Sequence, residues 1–117
     1  MTAPHDSPTA AELVEAVREW LERSVMVGAQ PPNRFHARVA ANVLAIVERE
    51  IVLGPDQAER HRQRLARLGQ PDDRALADAI RSGSLDRRLD EVRELVWDSV
   101  RDKLSVANPR YLERVEE

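Results

Sequence analysis

The chain has 117 residues, of which 42% are apolar and 33% are charged, and its formal net charge is −3. That length corresponds to one small domain with one modest core. The absence of cysteine excludes disulfides, thiol catalysis and thiolate metal sites, and the acidic balance lacks the basic excess of a typical nucleic-acid-binding protein.

The first residues predict neither export nor a membrane anchor. Residues 1–8 contain two prolines and few apolar groups, so we expect a disordered lead-in there. They show no basic and apolar pattern of a secretory signal. No run approaches the roughly 20 apolar residues of a membrane span. A cytoplasmic protein with no membrane partner is therefore expected.

A first helix is predicted from Thr9 to about Gly28. Thr9 and Glu12 have the spacing of a capping box. Trp20 and Trp97 are expected in the core, or one of them at a protein interface. The apolar residues of this helix recur on one helical face: Leu13, Val14, Val17, Trp20, Leu21 and Val25.

The middle of the chain predicts two further helices. Asn33 can cap a central helix, apolar on both sides and so largely buried, which Gly54 and Pro55 should end. A third helix should run over residues 56–68, with Gly69 as its C-cap.

The last two predicted helices cover residues 73–82 and 85–106. Gly83 should close the first of them, and Asn108-Pro109 should break the second, leaving a tail over residues 113–117. No strand pattern appears. The prediction is an all-α protein, a small bundle of four main helices plus one short helix, in a single domain over residues 9–112.

Motifs of self-contained catalysis are missing. The three histidines (His5, His36 and His61) lack the Glu-x-x-His spacing of di-iron bundles and the His-Glu-x-x-His spacing of zinc enzymes. The four glycines are isolated, so no phosphate loop or nucleophile elbow is present. We expect no metal and no cofactor, and a non-enzymatic protein rather than an enzyme.

Polar groups on the central helix form a candidate cluster. Glu50 lies near the middle of its apolar face, so it should have an ion-pair partner, reach water at the helix end, or act as an acid or base. Asn42 can fix interhelical register or contact a ligand. Two arginines of this helix can pair with acids or cradle a phosphate or carboxylate. The full cluster is His36, Arg38, Asn42, Arg49 and Glu50.

A basic stripe of Arg60, Arg64 and Arg67 follows on the third predicted helix. It can contact nucleic acid or a phosphate-bearing ligand, but no aromatic residue interleaves it for base stacking. The last long helix carries an acidic stripe: Glu94, Asp98 and Asp102. The two stripes can pair within the fold or across subunits, or each can be a solvated face.

Three parts of the chain carry a family resemblance. Residues 35–50, residues 102–104 with the motif formed by Asn108, Arg110 and Tyr111, and residues 10–19 resemble a bacterial domain-of-unknown-function family of short helical proteins. The resemblance implies genes beside aminoglycoside-phosphotransferase-like kinases and acyl-CoA dehydrogenases. The C-terminal motif is expected to fold back, so that Arg110 or Tyr111 meets Glu50 or Asn42.

Three functions follow as hypotheses. The first is a non-enzymatic accessory or interaction protein, self-associating, with a kinase-like phosphotransferase or an acyl-CoA dehydrogenase as its partner. The second is a small-ligand-binding protein or enzyme that uses the polar cluster of the central helix. The third is a DNA-binding regulator that uses the basic stripe, although a nucleic-acid partner is not expected from the overall charge.

Overall fold

The computed structural model describes residues 8–116, so most of the expected lead-in and residue 117 lie outside the described part. The described residues are mostly helical and contain no strand, which confirms the all-α fold class. The chain divides into two compact units, one up to Leu53 and one from Gly54. That residues 9–112 act as a single domain stays a prediction.

The first unit begins with α1, Ala10–Trp20. The predicted capping box is present: the Thr9 hydroxyl accepts from the Glu12 N–H at 3.2 Å, and the Glu12 carboxylate accepts from the Thr9 N–H at 3.1 Å. A π-helical turn, Leu21–Val25, and the short α2, Met26–Gly28, continue α1 without a break.

Helix α3, Pro31–Arg67, is continuous where the sequence predicted a break. Gly54 and Pro55 lie inside it, and the helix joins the second and third predicted helices. A proline in a helix interior removes one hydrogen bond and costs about 3 kcal/mol. Side chains on both sides of Pro55 make contacts that offset this cost: Glu48 pairs with Arg18 of α1, and Gln57 donates to the Asp102 carbonyl of α5.

Further helices follow α3 in the second unit. Helix α4, Asp73–Ser82, ends at Gly83, whose φ of +84° is the left-handed conformation predicted for a C-cap. A 3₁₀ turn then leads into α5, Leu89–Ala107. Helix α6, Pro109–Glu116, follows α5 and includes most of the residues predicted as a C-terminal tail.

The buried core lies in the second unit. Its members are large aliphatic residues from α3, α4, α5 and their connections: Leu65, Leu68, Leu76, Leu85, Val92 and Leu95. In the described part of the first unit the buried residues are Ala37 and Ala41, neither of which is large. The central helix is therefore less buried in the first unit than its two-sided apolar pattern predicted.

Candidate functional site

The second unit holds a polar network centred on Asp102 of α5. Its carboxylate accepts from Arg60 Nε at 3.3 Å and Nη2 at 3.2 Å, and from Arg64 Nη1 at 3.0 Å. The two arginines are one turn apart on α3, so both guanidinium groups reach the same carboxylate. Two residues of the basic stripe thus pair with one residue of the acidic stripe inside the unit.

The electrostatics of Asp102 follow from this arrangement. Partial burial, which leaves 22% of the side chain exposed, would raise the pKa of the Asp102 carboxyl. The hydrogen bonds from Arg60 and Arg64 outweigh burial, so the pKa lies below its ordinary value. The same contact raises the pKa of Arg60. The pair is therefore charged at neutral pH and holds α3 against α5.

His61 extends the network to a third helix. Its Nδ1 lies 2.7 Å from Ser99 Oγ on α5, and its Nε2 lies 2.6 Å from Asp73 Oδ1 on α4. A carboxylate only accepts, so Nε2 carries a proton; in the neutral imidazole Nδ1 then accepts from the Ser99 hydroxyl. Arg64 Nη1 also donates to Ser99 Oγ at 3.1 Å. His61 thus ties α3 to both α4 and α5.

A serine, a histidine and an aspartate in this order invite comparison with a hydrolytic triad. Such a triad also needs donors for a developing oxyanion. Ser99 lies in the middle of α5, where backbone N–H groups bond within the helix. Arg64 already donates to the Ser99 oxygen, and Asp73 is 77% exposed. The arrangement is suited to joining helices.

Gln57 completes the network one turn before Arg60. Its Nε2 donates to the Asp102 carbonyl at 2.9 Å and to Ser105 Oγ at 2.8 Å. The sequence interpretation missed Gln57, Asp73 and Ser105. The available signal was that polar residues recur on one face of α3 (57, 60, 61, 64) and on one face of α5 (99, 102, 105).

The third arginine of the basic stripe faces a different acid. The pKa of Glu91 is lowered chiefly by its hydrogen bonds with Arg88, and the charge of Arg67 lowers it further. Arg88 also donates to the Arg67 carbonyl at 2.8 Å. All three stripe arginines therefore lie near carboxylates of the same unit.

The predicted polar cluster on α3 has a different environment. Arg38, Asn42 and Glu50 are exposed, as is His36, whereas Arg49 is half-buried and has a partner. Glu50 is exposed, but it lies in the interior of α3 and not at a helix end. An ion pair of this segment joins Arg18 Nε to Glu48 Oε2 at 2.9 Å. That the cluster forms a ligand site stays a prediction.

A surface depression of about 590 Å³ lies along α5. Its lining comes from α5 and includes no residue of the polar cluster: Asp90, Arg93, Glu94, Val96, Trp97 and Val100. Trp97 is half-buried and lies 5.5 Å below the Arg101 guanidinium in a cation–π contact.

The C-terminal motif builds the start of α6. Asn108 Oδ1 accepts from the Tyr111 N–H at 3.1 Å, so Asn108 is the N-cap, and Pro109 occupies the first helical position. The exposed Tyr111 ring contacts the Arg114 guanidinium at 5.8 Å, and Arg110 is exposed. Contact of Arg110 or Tyr111 with Glu50 or Asn42 stays a prediction.

Large apolar side chains are exposed on α1 and on the part of α3 that belongs to the first unit. On α1, Leu13, Val17 and Trp20 lie three to four residues apart on one face, and Trp20 is 59% exposed. The expectation that Trp20 lies in the core is therefore wrong. On α3, Phe35 is 60% exposed, and Val39 is exposed one turn later.

The described residues form neither a metal site nor a membrane span. Over residues 8–116, no group of three or more histidine, aspartate or glutamate side chains is placed to hold a metal ion. None of the helices described there is both long and apolar enough to cross a bilayer.

Comparison with known proteins identifies a family for this chain, but that family has no described activity. No curated protein and no solved structure matches the chain. A family model does match, over residues 27–111, which is most of the chain. The match includes residues 35–50 and the motif of Asn108, Arg110 and Tyr111, but not α1. The chain therefore belongs to the family described as Domain of unknown function (DUF6285).

Proposed function

We propose that the protein is a non-enzymatic accessory protein that binds a protein partner through the apolar face of α1. We call this face the α1 stripe and define it as Leu13, Val17 and Trp20. The observation that carries the proposal is the exposure of all three large side chains on one helical face.

An exposed stripe of this kind is typical of an interface. Single apolar side chains on a surface are ordinary, but a contiguous set that includes tryptophan marks a binding surface. Tryptophan is enriched among the residues that dominate interface energies, because its ring buries a large area and its N–H can still donate. Trp20 is therefore the expected anchor.

The partner proposed first is a cytoplasmic enzyme of the class implied by the family resemblance. That class is a kinase-like phosphotransferase or an acyl-CoA dehydrogenase. The polar network around Asp102 supports a non-enzymatic role, because its arginines, serine and histidine already bind one another.

The experiment is quantitative co-purification from the native host with three versions of the protein. Val17→Glu places a carboxylate inside the α1 stripe. Val115→Glu makes the same change on α6 at a residue that is 42% exposed, compared with 48% for Val17. We expect a partner to be recovered with the wild type and with Val115→Glu, and lost with Val17→Glu.

A purified candidate then tests direct binding by calorimetry. Loss of at least tenfold in affinity with Val17→Glu corresponds to about 1.4 kcal/mol. If no protein is recovered that discriminates Val17→Glu from Val115→Glu, the proposed function is refuted.

A further inference from the structure

We propose that the first unit opens and refolds while the second unit stays folded, and that a junction inside α3 stops the opening. We call residues 54–57 the α3 junction. The inference deepens the proposed function and rests on it in one respect, that a partner binds the α1 stripe. The opening itself is a property of the free protein, so it is tested without a partner.

The two units differ in the burial that holds them folded. The core of the second unit contains six buried leucine and valine side chains. In the described part of the first unit the buried residues are Ala37 and Ala41, and an alanine side chain removes little apolar surface from water. Segments with few buried apolar contacts open at a lower free energy than a core does. The first unit is therefore expected to open first.

Helix α1 has limited packing to keep it folded. Most helical stability in proteins comes from the packing of an apolar face rather than from helix propensity. On α1 the three large side chains of the α1 stripe are exposed, while Val14 and Leu21 are half-buried. Arg18 Nε donates to Glu48 Oε2 of α3 at 2.9 Å, and these side chains are 22% and 23% exposed. Opening of the first unit would break this contact and release α1.

The α3 junction has the sequence of a helix start, although it lies inside a helix. Glycine is accepted at an N-cap, and proline is favoured at the first helical position, where an N–H would have no partner. Asp56 adds a carboxylate in the first turn, where the helix dipole favours it. Inside the continuous α3, Pro55 lacks the N–H that would bond to the Ile51 carbonyl. A helix that begins at Pro55 therefore loses little at this point.

Gln57 anchors the C-terminal side of the α3 junction. Its Nε2 donates to the Asp102 carbonyl at 2.9 Å and to Ser105 Oγ at 2.8 Å. Arg60, one turn later, also binds Asp102. An opening that starts in the first unit thus meets bound side chains directly after Pro55. The two forms of α3 are the continuous helix and a shorter helix over residues 55–67.

Opening of the first unit controls the α1 stripe. Its three side chains share one face only while α1 is helical. A partner that recognises this face binds the closed form, so its apparent affinity falls with the fraction of molecules that are closed. Binding in turn shifts the population towards the closed form. Partner binding and folding of the first unit are thus coupled.

Hydrogen exchange of the free full-length protein, measured by mass spectrometry of its peptides, tests the opening. Amides of residues 10–20 and 35–50 should have protection factors at least about 100-fold lower than those of residues 61–67 and 92–99, because the second group opens only with the core. Equal protection in the two units would refute the inference.

Pro55→Ala tests the α3 junction. Alanine restores the N–H and has a higher helix propensity, so the continuous form of α3 gains stability over the shorter form. Exchange at residues 35–50 should slow at least about tenfold, without a matching change at residues 92–99. Pro109→Ala makes the same change at the first position of α6 and should leave exchange at residues 35–50 as in the wild type. Unaltered exchange with Pro55→Ala would overturn the role of the junction.

Arg18→Ala tests the contact between α1 and α3. It should speed exchange at residues 10–20 and 35–50 and leave residues 92–99 unchanged. Arg23→Ala is the matched control, because Arg23 is 75% exposed and lies 3.8 Å from Glu19 of the same helical segment. Equal acceleration in both units with Arg18→Ala would show a single opening of the whole chain and refute the inference. Absence of a partner in co-purification would instead refute the proposed function and leave the exchange contrast standing.

Discussion

Replacing Asp102 by alanine should destabilise the second unit by about 2 kcal/mol. The contact with Arg60, which is 48% exposed, adds little, as for other surface pairs. The contact with Arg64 is stronger, because that side chain is only 16% exposed and keeps only Ser99 when the carboxylate is removed. A hydrogen bond to a charged group contributes about 1.5–3 kcal/mol. The higher helix propensity of alanine returns about 0.5 kcal/mol.

The assay is urea unfolding followed by the fluorescence of Trp97, in a Trp20→Phe background. The chain has two tryptophans, so this substitution leaves a reporter in the second unit alone. Asp98→Ala is the matched control, one turn earlier on α5, where the carboxylate makes only a 3.4 Å contact with Arg101. It should change the free energy of unfolding by less than about 0.5 kcal/mol. Equal effects of the two substitutions would refute the role assigned to Asp102.

Three further predictions concern pH, a helix cap and a turn. The pKa of the Asp102 carboxyl is lower in the folded than in the unfolded chain. Its stabilising effect is therefore complete above the unfolded pKa of about 3.9 and is lost as the pH falls further. The difference in unfolding free energy between wild type and Asp102→Asn should be larger at pH 6 than at pH 3, and a constant difference would contradict this. Asn108→Ala should cost about 1 kcal/mol and speed amide hydrogen exchange in α6, whereas Asn108→Asp should preserve the cap. Gly83→Ala should lower the melting temperature, because φ is +84° and the new Cβ would lie 3.1 Å from Asp86 Oδ2. Gly28→Ala is the control and should leave the melting temperature unchanged, because its new Cβ would have no neighbour within 4 Å.

Local features of the fold were predictable from the sequence because they depend on neighbouring residues. The Thr9–Glu12 capping box, the left-handed Gly83 and the helix break at Asn108 each follow from interactions within a few positions. The predicted break at Pro55 was wrong for the opposite reason. Its local cost is offset by contacts to distant residues, such as Gln57 with Asp102, and propensity carries no information about those.

The polar network was predictable only in part. The sequence showed that the basic stripe and the acidic stripe could pair, because residues three and four apart share a helical face. It did not show which helices are adjacent, so Asp102 was not distinguished from Asp98, four residues earlier on α5. Adjacency also brings Ser99 between His61 and Arg64. The candidate site therefore depended on tertiary packing, which periodicity alone does not determine.

The uneven burial of the two units is the main physical argument for the proposal that this protein binds a partner. Burying one leucine or valine side chain contributes about 1.5–3 kcal/mol. The second unit buries six such side chains in its core. In the described part of the first unit only Ala37 and Ala41 reach comparable burial, while Trp20 and Phe35 stay exposed. The first unit therefore has apolar surface left to bury, and a partner on the α1 stripe would supply part of the missing burial.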